Sequence, residues 1–497
     1  MFSNCGKISL KVCYYLRTFF YLRGKVQHMR FLIILLFIGF QMNAQDLRVR
    51  KGVVMDSLKV GDSIEETFSL YIPNSYQENQ ALPVLFLFDG NGRGKSAAQL
   101  FKPAAEAQGY ILASSNAIEP GTNILDNVKA ATRLIQEVTS TIPIDQQQIS
   151  VAGFQIGAKV ASVIPLLYEN IHGVIAVGDH QLNIDLLKRS DDFYFVGIGG
   201  TESVSMHEMD FIVNQLNYRG IDGAFISYKG GSEWPHPDIV AHALGLISTE
   251  AMRKELQPIK RDLVQRMFEA DLQVVDRFTH TGEELAAHDL LSVMELKYDD
   301  LVNLSQIRDR RKQLEETQNY KNKRLEHDKL LLEEMRLNAQ YLEFFDQDVT
   351  TVNYENLGWW NYEVLKLDQM IAGEDTGERA MAQRLKENLR QMGKLALTNI
   401  KESDPTLDEK LLVNMMQTIF NQQDYQAYLN VIQLSAVDGD FSTALFYLEE
   451  LLKNGYSEVE TLYNLEGTLG LRLSKDFNGL IYKYLGSARY YTSFFDK

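Results

Sequence analysis

From Asp46 to about Thr249 short apolar runs alternate with stretches of helical spacing, and no other feature of this 497-residue chain limits its fold as much. Leu82–Phe88 is almost continuously apolar and ends at Asp89-Gly90-Asn91-Gly92. Thr67–Pro73 alternates apolar and polar residues, as a half-buried strand does. Tyr110–Ser114, Ile149–Ala152, Gly173–Val177, Phe193–Ile198 and Ala224–Tyr228 are further short apolar runs, and Asn127–Ser140 has helical spacing. Strands this short and apolar, separated by helices, predict an α/β fold with a mostly parallel sheet covered on both faces. Ligands of such sheets bind beyond the carboxyl ends of the strands. Those ends are Asp89, Gln155, Gly178-Asp179-His180, Gly199-Gly200 and Gly230-Gly231.

After about Glu250 the strand signals nearly stop and helical patterns continue to the C-terminus. We expect an α/β domain over 45–249, a long helical region over 250–350 and an all-α domain over 351–497. Ser305–Phe345 is a charge-rich helical stretch of mixed sign, read as a long solvated helix rather than a coiled-coil arm. Trp359-Trp360, Tyr490-Tyr491 and Phe494-Phe495 are aromatic pairs, with core packing as their first reading. Gly439-Asp440-Phe441 followed by Ala444, Leu448 and Leu451 resembles one tetratricopeptide unit, with Tyr428 and Val431 on its first helix. Ile432 departs from that pattern, where a small residue is usual. Val459–Leu473 and Phe477–Tyr484 are read as two further helices that stack on it, and an irregular helical bundle is the alternative.

The composition narrows the partners. A formal net charge of −16 argues against nucleic acid, because phosphate neutralisation needs Lys/Arg surfaces. Phe31–Phe40 is too short an apolar run to span a bilayer comfortably. With Met29-Arg30 before it and Ala44 after it, the run reads as a secretory signal cut ahead of Gln45. The expectation is an exported protein, periplasmic or secreted, starting at Met1 or Met29, whose mature chain does not insert in the membrane. Both cysteines, Cys5 and Cys13, precede Gln45, so that mature chain has neither disulfide nor thiol. His-x₃-His and His-Glu-x₂-His spacings are absent, and no metal or other cofactor is expected. Gly94-Lys95-Ser96 lacks the earlier glycine of a phosphate loop, whose place is taken by Asp89.

The chemistry centres on Ile149–Ala158. An apolar strand runs into a turn flanked by Gly153 and Gly157, and a helix begins. The middle residue is Gln155, a neutral carboxamide with no useful nucleophilicity. This segment resembles the nucleophile elbow of the α/β-hydrolases, where the middle of G-x-S-x-G is the attacking serine. The resemblance spans roughly Ile64–Ile247, and it is to the esterase branch with polyhydroxyalkanoate depolymerase-like and feruloyl-esterase-like proteins. It is carried by Leu70–Tyr76 leading into Pro83–Gly90, by Ile144-Asp145 ahead of the elbow, by the elbow, and by Gly230-Gly231-Ser232-Glu233-Trp234-Pro235. In the family the last motif holds the catalytic histidine, where this chain has Ser232. The family's acid follows a Gly-Thr-x-Asp strand end, where this chain has Gly200-Thr201-Glu202-Ser203.

The resemblance therefore implies that nucleophile, acid and base are all replaced, at Gln155, Ser203 and Ser232. Triad members act as a unit, so catalysis is expected to be lost. The same resemblance points to the Ile156 backbone N–H and one from the Gly90–Gly94 loop as the oxyanion donors. Asp89, His180, Glu202 and His236 are the residues through which a relocated active site would have to work. Each also has a plain reading: Asp89 caps a turn, His180 pairs with Asp179, and His236 is an exposed loop residue. Asp89, His180 and His236, with Gly90, Ile156 and Trp234, are the residues expected to line the candidate cleft. The expected function is non-catalytic binding of a glycan- or ester-type ligand in that cleft, or of a protein through the helical half. An esterase with non-standard residues and a structural assembly factor are the alternatives.

Overall fold

The structure is a computed structural model that describes residues 50–490, apart from 62–64, 78–79, 189–190 and 403. Cys5, Cys13, Phe31–Phe40, Tyr491 and Phe494-Phe495 lie outside the described residues. From Lys51 onward the chain packs as one compact unit.

The predicted strands and one further edge strand form an eight-stranded sheet: β1 (Val54–Lys59), β2 (Thr67–Tyr71), β3 (Leu82–Asp89), β4 (Ile111–Ser115), β5 (Ile144–Phe154), β6 (Ile171–Val177), β7 (Tyr194–Gly200) and β8 (Gly223–Tyr228). Their order is β1-β2-β4-β3-β5-β6-β7-β8. β2 is antiparallel to β1 and to β4, and the pairs from β4 to β8 are parallel. β1 had no signal in the sequence: VMDSLK is an edge strand whose side chains are half-buried or exposed, so it carries no apolar run.

Helices cover both faces: α1 (Gly94–Gln108), α2 (Ile124–Thr141), α3 (Ile156–Val163), α4 (Met206–Tyr218) and α5 (Pro237–Arg253). Alternation along β3 divides the core. Val84, Phe86 and Phe88 pack with Val128 and Leu134 of α2, Val160 of α3 and Met209 of α4. Leu85 and Leu87 pack with Ala97 and Phe101 of α1 and Ala243 and Leu246 of α5. Both faces being buried explains why the strands read as continuous apolar runs.

Beyond α5 the described chain is helical: α6 (Arg261–Thr281), α7 (Glu284–Tyr298), α8 (Ser305–Glu316), α9 (Gln318–Thr351), α10 (Leu357–Ala372), α11 (Thr376–Glu402), α12 (Leu407–Phe420), α13 (Tyr425–Asp438), α14 (Phe441–Lys453), α15 (Val459–Asn464), α16 (Leu469–Arg472) and α17 (Lys475–Leu485). The expected boundary at 249 falls near the end of α5, and the one at 350 within the last turn of α9. The stretch Ser305–Phe345, expected as one helix, is two. Thr317 leaves the helical backbone (ψ 142°), and its hydroxyl caps α9 by accepting from the Tyr320 N–H. Val459–Leu473 is likewise two short helices, separated around Gly467, whose φ of 75° is left-handed. α13 and α14 pair through the left-handed Gly439 and the Asp440 cap, with Tyr428, Ile432, Ala444, Leu448 and Leu451 in a shared core. Trp360 is fully buried and donates to Asp348 at 2.8 Å, while Trp359 packs against its ring.

Candidate functional site

The site is built from strand ends. Phe88 pairs with Gly153 and Asp89 with Phe154, so the end of β3 lies beside the β5–α3 turn. Gln155 holds that turn at φ 52°, ψ −121°, a conformation that side-chain-bearing residues rarely adopt. The flanking glycines are obligatory. A Cβ on Gly153 would lie 2.0 Å from the Gly157 carbonyl oxygen, and one on Gly157 would lie 1.9 Å from that of Phe88. The Gln155 N–H donates to Val177 O at 3.1 Å, and its carbonyl accepts from Ala158 and Lys159. Its side chain is half-buried at the turn and makes no hydrogen bond among the described residues. Gly90 faces the start of α3: its missing Cβ would sit 2.8 Å from Ile156 Cγ2 and 3.3 Å from the Ile156 nitrogen. Any side chain at position 90 would crowd that N–H.

The other two positions meet at the ends of β7 and β8. The sheet pairing continues past the strands, with the Thr201 N–H donating to Tyr228 O and the Glu202 N–H to Gly230 O, both at 2.8 Å. Gly200 permits this approach, since its Cβ would fall 2.4 Å from Gly231 O. The result places Ser203 Oγ 3.4 Å from Ser232 Oγ and 3.0 Å from Ser205 Oγ. Ser203 is buried and Ser232 exposed. Two residues 29 apart in sequence, singled out from separate motifs, thus lie side by side. Hydroxyls there can exchange hydrogen bonds, but neither supplies the charge of a carboxylate nor the basicity of an imidazole.

Asp89 and Trp234 form one structural unit. Asp89 is 1% exposed. It accepts from the Trp234 indole N–H at 2.6 Å and from the Asn91 N–H at 2.9 Å, and it pairs with Arg93 at 3.2 Å. Trp234 also packs edge-on against Phe101 and tilted against Phe154. Asp89 therefore ties the loop after β8 to the loop after β3, with its lone pairs committed. His236 caps α5: Nδ1 accepts from the Asp238 N–H at 3.4 Å, and its side chain is exposed. His180 follows Asp179, whose carboxylate accepts from the His180 N–H and pairs with Lys159 on α3. Its Nδ1 accepts from the Leu182 N–H, and Nε2 lies 3.6 Å from Glu208. Burial lowers its pKa and favours the neutral ring.

Sequence reasoning missed two polar clusters. In the first, Arg384 of α11 donates to the Thr201 carbonyl, in the loop that carries Ser203. Its Nε also donates to Glu334 of α9 at 2.8 Å, and Glu334 lies 3.3 Å from His207 Nε2 of α4. Burial alone would raise the Glu334 pKa, but Arg384 and His207 more than offset it and hold the carboxyl ionised. The helical half thereby grips the loop at the end of β7. In the second cluster, Asp271 of α6 accepts from His242 Nδ1 of α5 at 2.9 Å, and from Lys297 Nζ and Tyr298 Oη of α7 at 2.8 and 2.6 Å. All four side chains are buried. Burial disfavours a charged Asp271, yet His242 and Lys297 outweigh it and depress its pKa strongly. Burial lowers the pKa of both His242 and Lys297. The first cluster has no local signature, because Glu334 lies 50 residues from Arg384 and 127 from His207. The second has one: Asp271 falls on the apolar stripe Val264, Phe268, Asp271, Val275. Among the described residues no group of three or more His, Cys, Asp or Glu is arranged to hold a metal ion.

Strand order, parallel register and the strained strand-to-helix turn define an α/β-hydrolase-like fold with a helical C-terminal half. No family model and no curated protein matches the sequence. Among solved structures the chain is similar to Thermogutta terrifontis esterase 2 phosphorylated by paraoxon (12% identity, 37% of this chain and 86% of that one, TM-score 0.30). It is also similar to a ferulic acid esterase (13%, 40% and 100%, TM-score 0.33). A third likeness is to the S-formylglutathione hydrolase FrmB from Staphylococcus aureus (10%, 39% and 95%, TM-score 0.32).

Proposed function

We propose that this protein is an exported, non-catalytic α/β-hydrolase-like protein that binds a polar ligand of glycan or ester type at the Gln155 turn. The observation that carries this reading is the strained turn itself, with a carboxamide where the fold would present a nucleophile. The Gln155 amide can both donate and accept there, beside an Ile156 N–H that Gly90 leaves uncrowded. The two serines past the ends of β7 and β8, one strand removed from the turn, offer neutral hydrogen-bonding groups without acid–base chemistry. A relocated active site finds little support, because Asp89 is committed to Trp234 and Arg93 and His236 is an exposed helix cap. The helical half, with its tetratricopeptide-like α13–α14 pair, serves on this reading to present the domain to a protein partner. The signal-like Phe31–Phe40 segment supports the export part of this reading.

The test has two arms. Nitrophenyl esters should be hydrolysed no faster than by heat-denatured protein, and a fluorophosphonate should not label the chain. The triple variant Gln155→Ser, Ser203→Asp, Ser232→His should fold and gain measurable ester hydrolysis. Turnover in the unmodified protein that vanishes in His236→Ala or Asp89→Asn would overturn the non-catalytic reading. Ligand binding is followed by titration calorimetry with neutral oligosaccharides and their acylated forms, and Gln155→Leu should abolish it.

A further inference from the structure

The long helix α9 has two apolar faces. One is covered: Leu337, Tyr341 and Phe345 are buried against α10, α11 and α12. The other is bare. Leu325, Leu332, Met335 and Leu342 are 57–67% exposed. With Asp328, Ala339 and Asp346 they recur at alternating steps of three and four residues, which is the a/d spacing of a coiled-coil seam. A solvated face of a helix needs no such period, and the seam has no partner among the described residues.

The seam is also nearly its own mirror. About the midpoint between Glu333 and Glu334, Leu325 reflects onto Leu342, Leu332 onto Met335, Asp328 onto Ala339, and Lys321 onto Asp346. A second helix of the same sequence, running antiparallel across a two-fold axis at that point, sets leucine or methionine opposite leucine or methionine. It also sets Asp328 opposite an alanine and, at each end, a lysine opposite an aspartate. Run parallel, the same helix would stack Asp328 on Asp328 and Asp346 on Asp346. The Asp328–Ala339 layer is polar, and a polar seam residue fixes register at some cost in affinity. Asp328 already pairs with Arg324 at 3.2 Å, so its charge does not enter the seam uncompensated. We propose that this face of α9 is the self-association surface of the protein, joining two copies as an antiparallel pair of α9 helices. The seam runs from Lys321 to Asp346, about 38 Å at 1.5 Å per residue. It is one helix wide, so a reversible rather than a permanent dimer is expected.

Sedimentation equilibrium on the full chain, with Cys5 and Cys13 replaced by serine, tests this. A dimer is expected at tens of micromolar protein. Leu332→Glu/Met335→Glu should weaken it by at least about a hundredfold, because the apolar layers beside the axis become pairs of like charge. Both positions are exposed, so the variant's far-UV circular dichroism and melting should match the parent. Orientation is read from cysteine pairs. Leu325→Cys and Leu342→Cys chains should form a disulfide-linked heterodimer when mixed, and neither should cross-link alone, since Leu325 lies about 26 Å along the seam from its own copy. A monomer at all concentrations would overturn the proposal, as would a dimer untouched by the double glutamate variant. Cross-linking of Leu325→Cys to itself would overturn the antiparallel arrangement.

Discussion

Asp271→Asn should be among the most damaging conservative substitutions in the chain, although it lies far from the Gln155 turn in sequence. The carboxylate holds together three helices: His242 on α5, its own α6, and Lys297 with Tyr298 on α7. Lys297 is 1% exposed, so without Asp271 its ammonium has neither water nor a counter-ion. It must then stay charged in the core or give up its proton. Releasing a proton from an ordinary lysine at pH 7 costs about 4.6 kcal/mol, which caps the penalty of this route. Breaking a buried ion pair by removing one partner typically costs about 3–5 kcal/mol, in agreement with that cap. Tyr298 and Lys297 donate to one Asp271 oxygen and His242 faces the other, so an amide, which accepts on one side only, sets its NH2 against one of these partners. We therefore expect a loss of about 4 kcal/mol.

Lys297→Met should cost less, about 2 kcal/mol, because Asp271 keeps two donors and His242 is relieved of a repulsive cation. The double variant Asp271→Asn/Lys297→Met removes both charges. It should be more stable than Asp271→Asn alone, with a coupling of about 3 kcal/mol. Urea unfolding at pH 7, followed by far-UV circular dichroism, measures all four corners of the cycle. An Asp271→Asn protein within about 1 kcal/mol of the parent would refute the argument. So would a double variant whose loss equals the sum of the singles.

Gly153→Ala should prevent soluble expression or cost more than about 4 kcal/mol, because its Cβ would overlap the Gly157 backbone, which cannot yield as a side chain can. Trp234→Phe removes the donor to a buried carboxylate while keeping an aromatic ring, and should lower stability by about 1.5–3 kcal/mol in the same assay. Stability should also fall on mild acidification. Burial lowers the pKa of His172 and His242, so from about pH 6.5 downward the unfolded chain takes up protons that the folded chain refuses. Each histidine held neutral contributes a loss of about 1.4 kcal/mol per pH unit in that window. His288, whose Asp289 and Glu315 partners raise its pKa, works in the opposite direction. Urea midpoints at three pH values check this, and His172→Gln/His242→Gln should flatten the profile.

The α/β framework was legible because its strands are buried on both faces. Such strands leave short runs dominated by apolar residues, and β1, half exposed at the edge, left no such run. The helical half was legible as helices but not in its breaks. Periodicity passes through Thr317 undisturbed, and only a threonine in cap position marks the end. Gly467 marks the break within Val459–Leu473 in the same way. At the site, Ser203 and Ser232 could be brought together from motifs because both sit at strand ends, where neighbouring strands fix the spacing. Arg384 could not be placed there. It reaches a main-chain carbonyl 183 residues away, and long-range pairings of that kind follow from tertiary packing alone.

The persistence of the turn at Gln155 needs separating from its use. A side-chain-bearing residue at φ 52° costs of the order of 1–3 kcal/mol, and nothing at position 155 itself repays that cost. The turn is imposed from outside. Gly153 and Gly157 bring β5, α3 and the Phe88 carbonyl so close that the backbone between them has no room to relax. Strain of this kind does not depend on any chemistry at position 155, because releasing it would require the sheet and α3 to part. The conformation therefore testifies to the fold and says little about activity. The identity of the residue is the informative part. Glycine would relieve the strain at once, and Gln155→Gly should raise the melting temperature. A long polar side chain is instead held at the carboxyl edge of the sheet, where ligands of such sheets bind, with no hydrogen-bond partner among the described residues. Under the binding role proposed above, that combination of cost and position has a use: the carboxamide is held free to exchange hydrogen bonds with a ligand at the sheet edge.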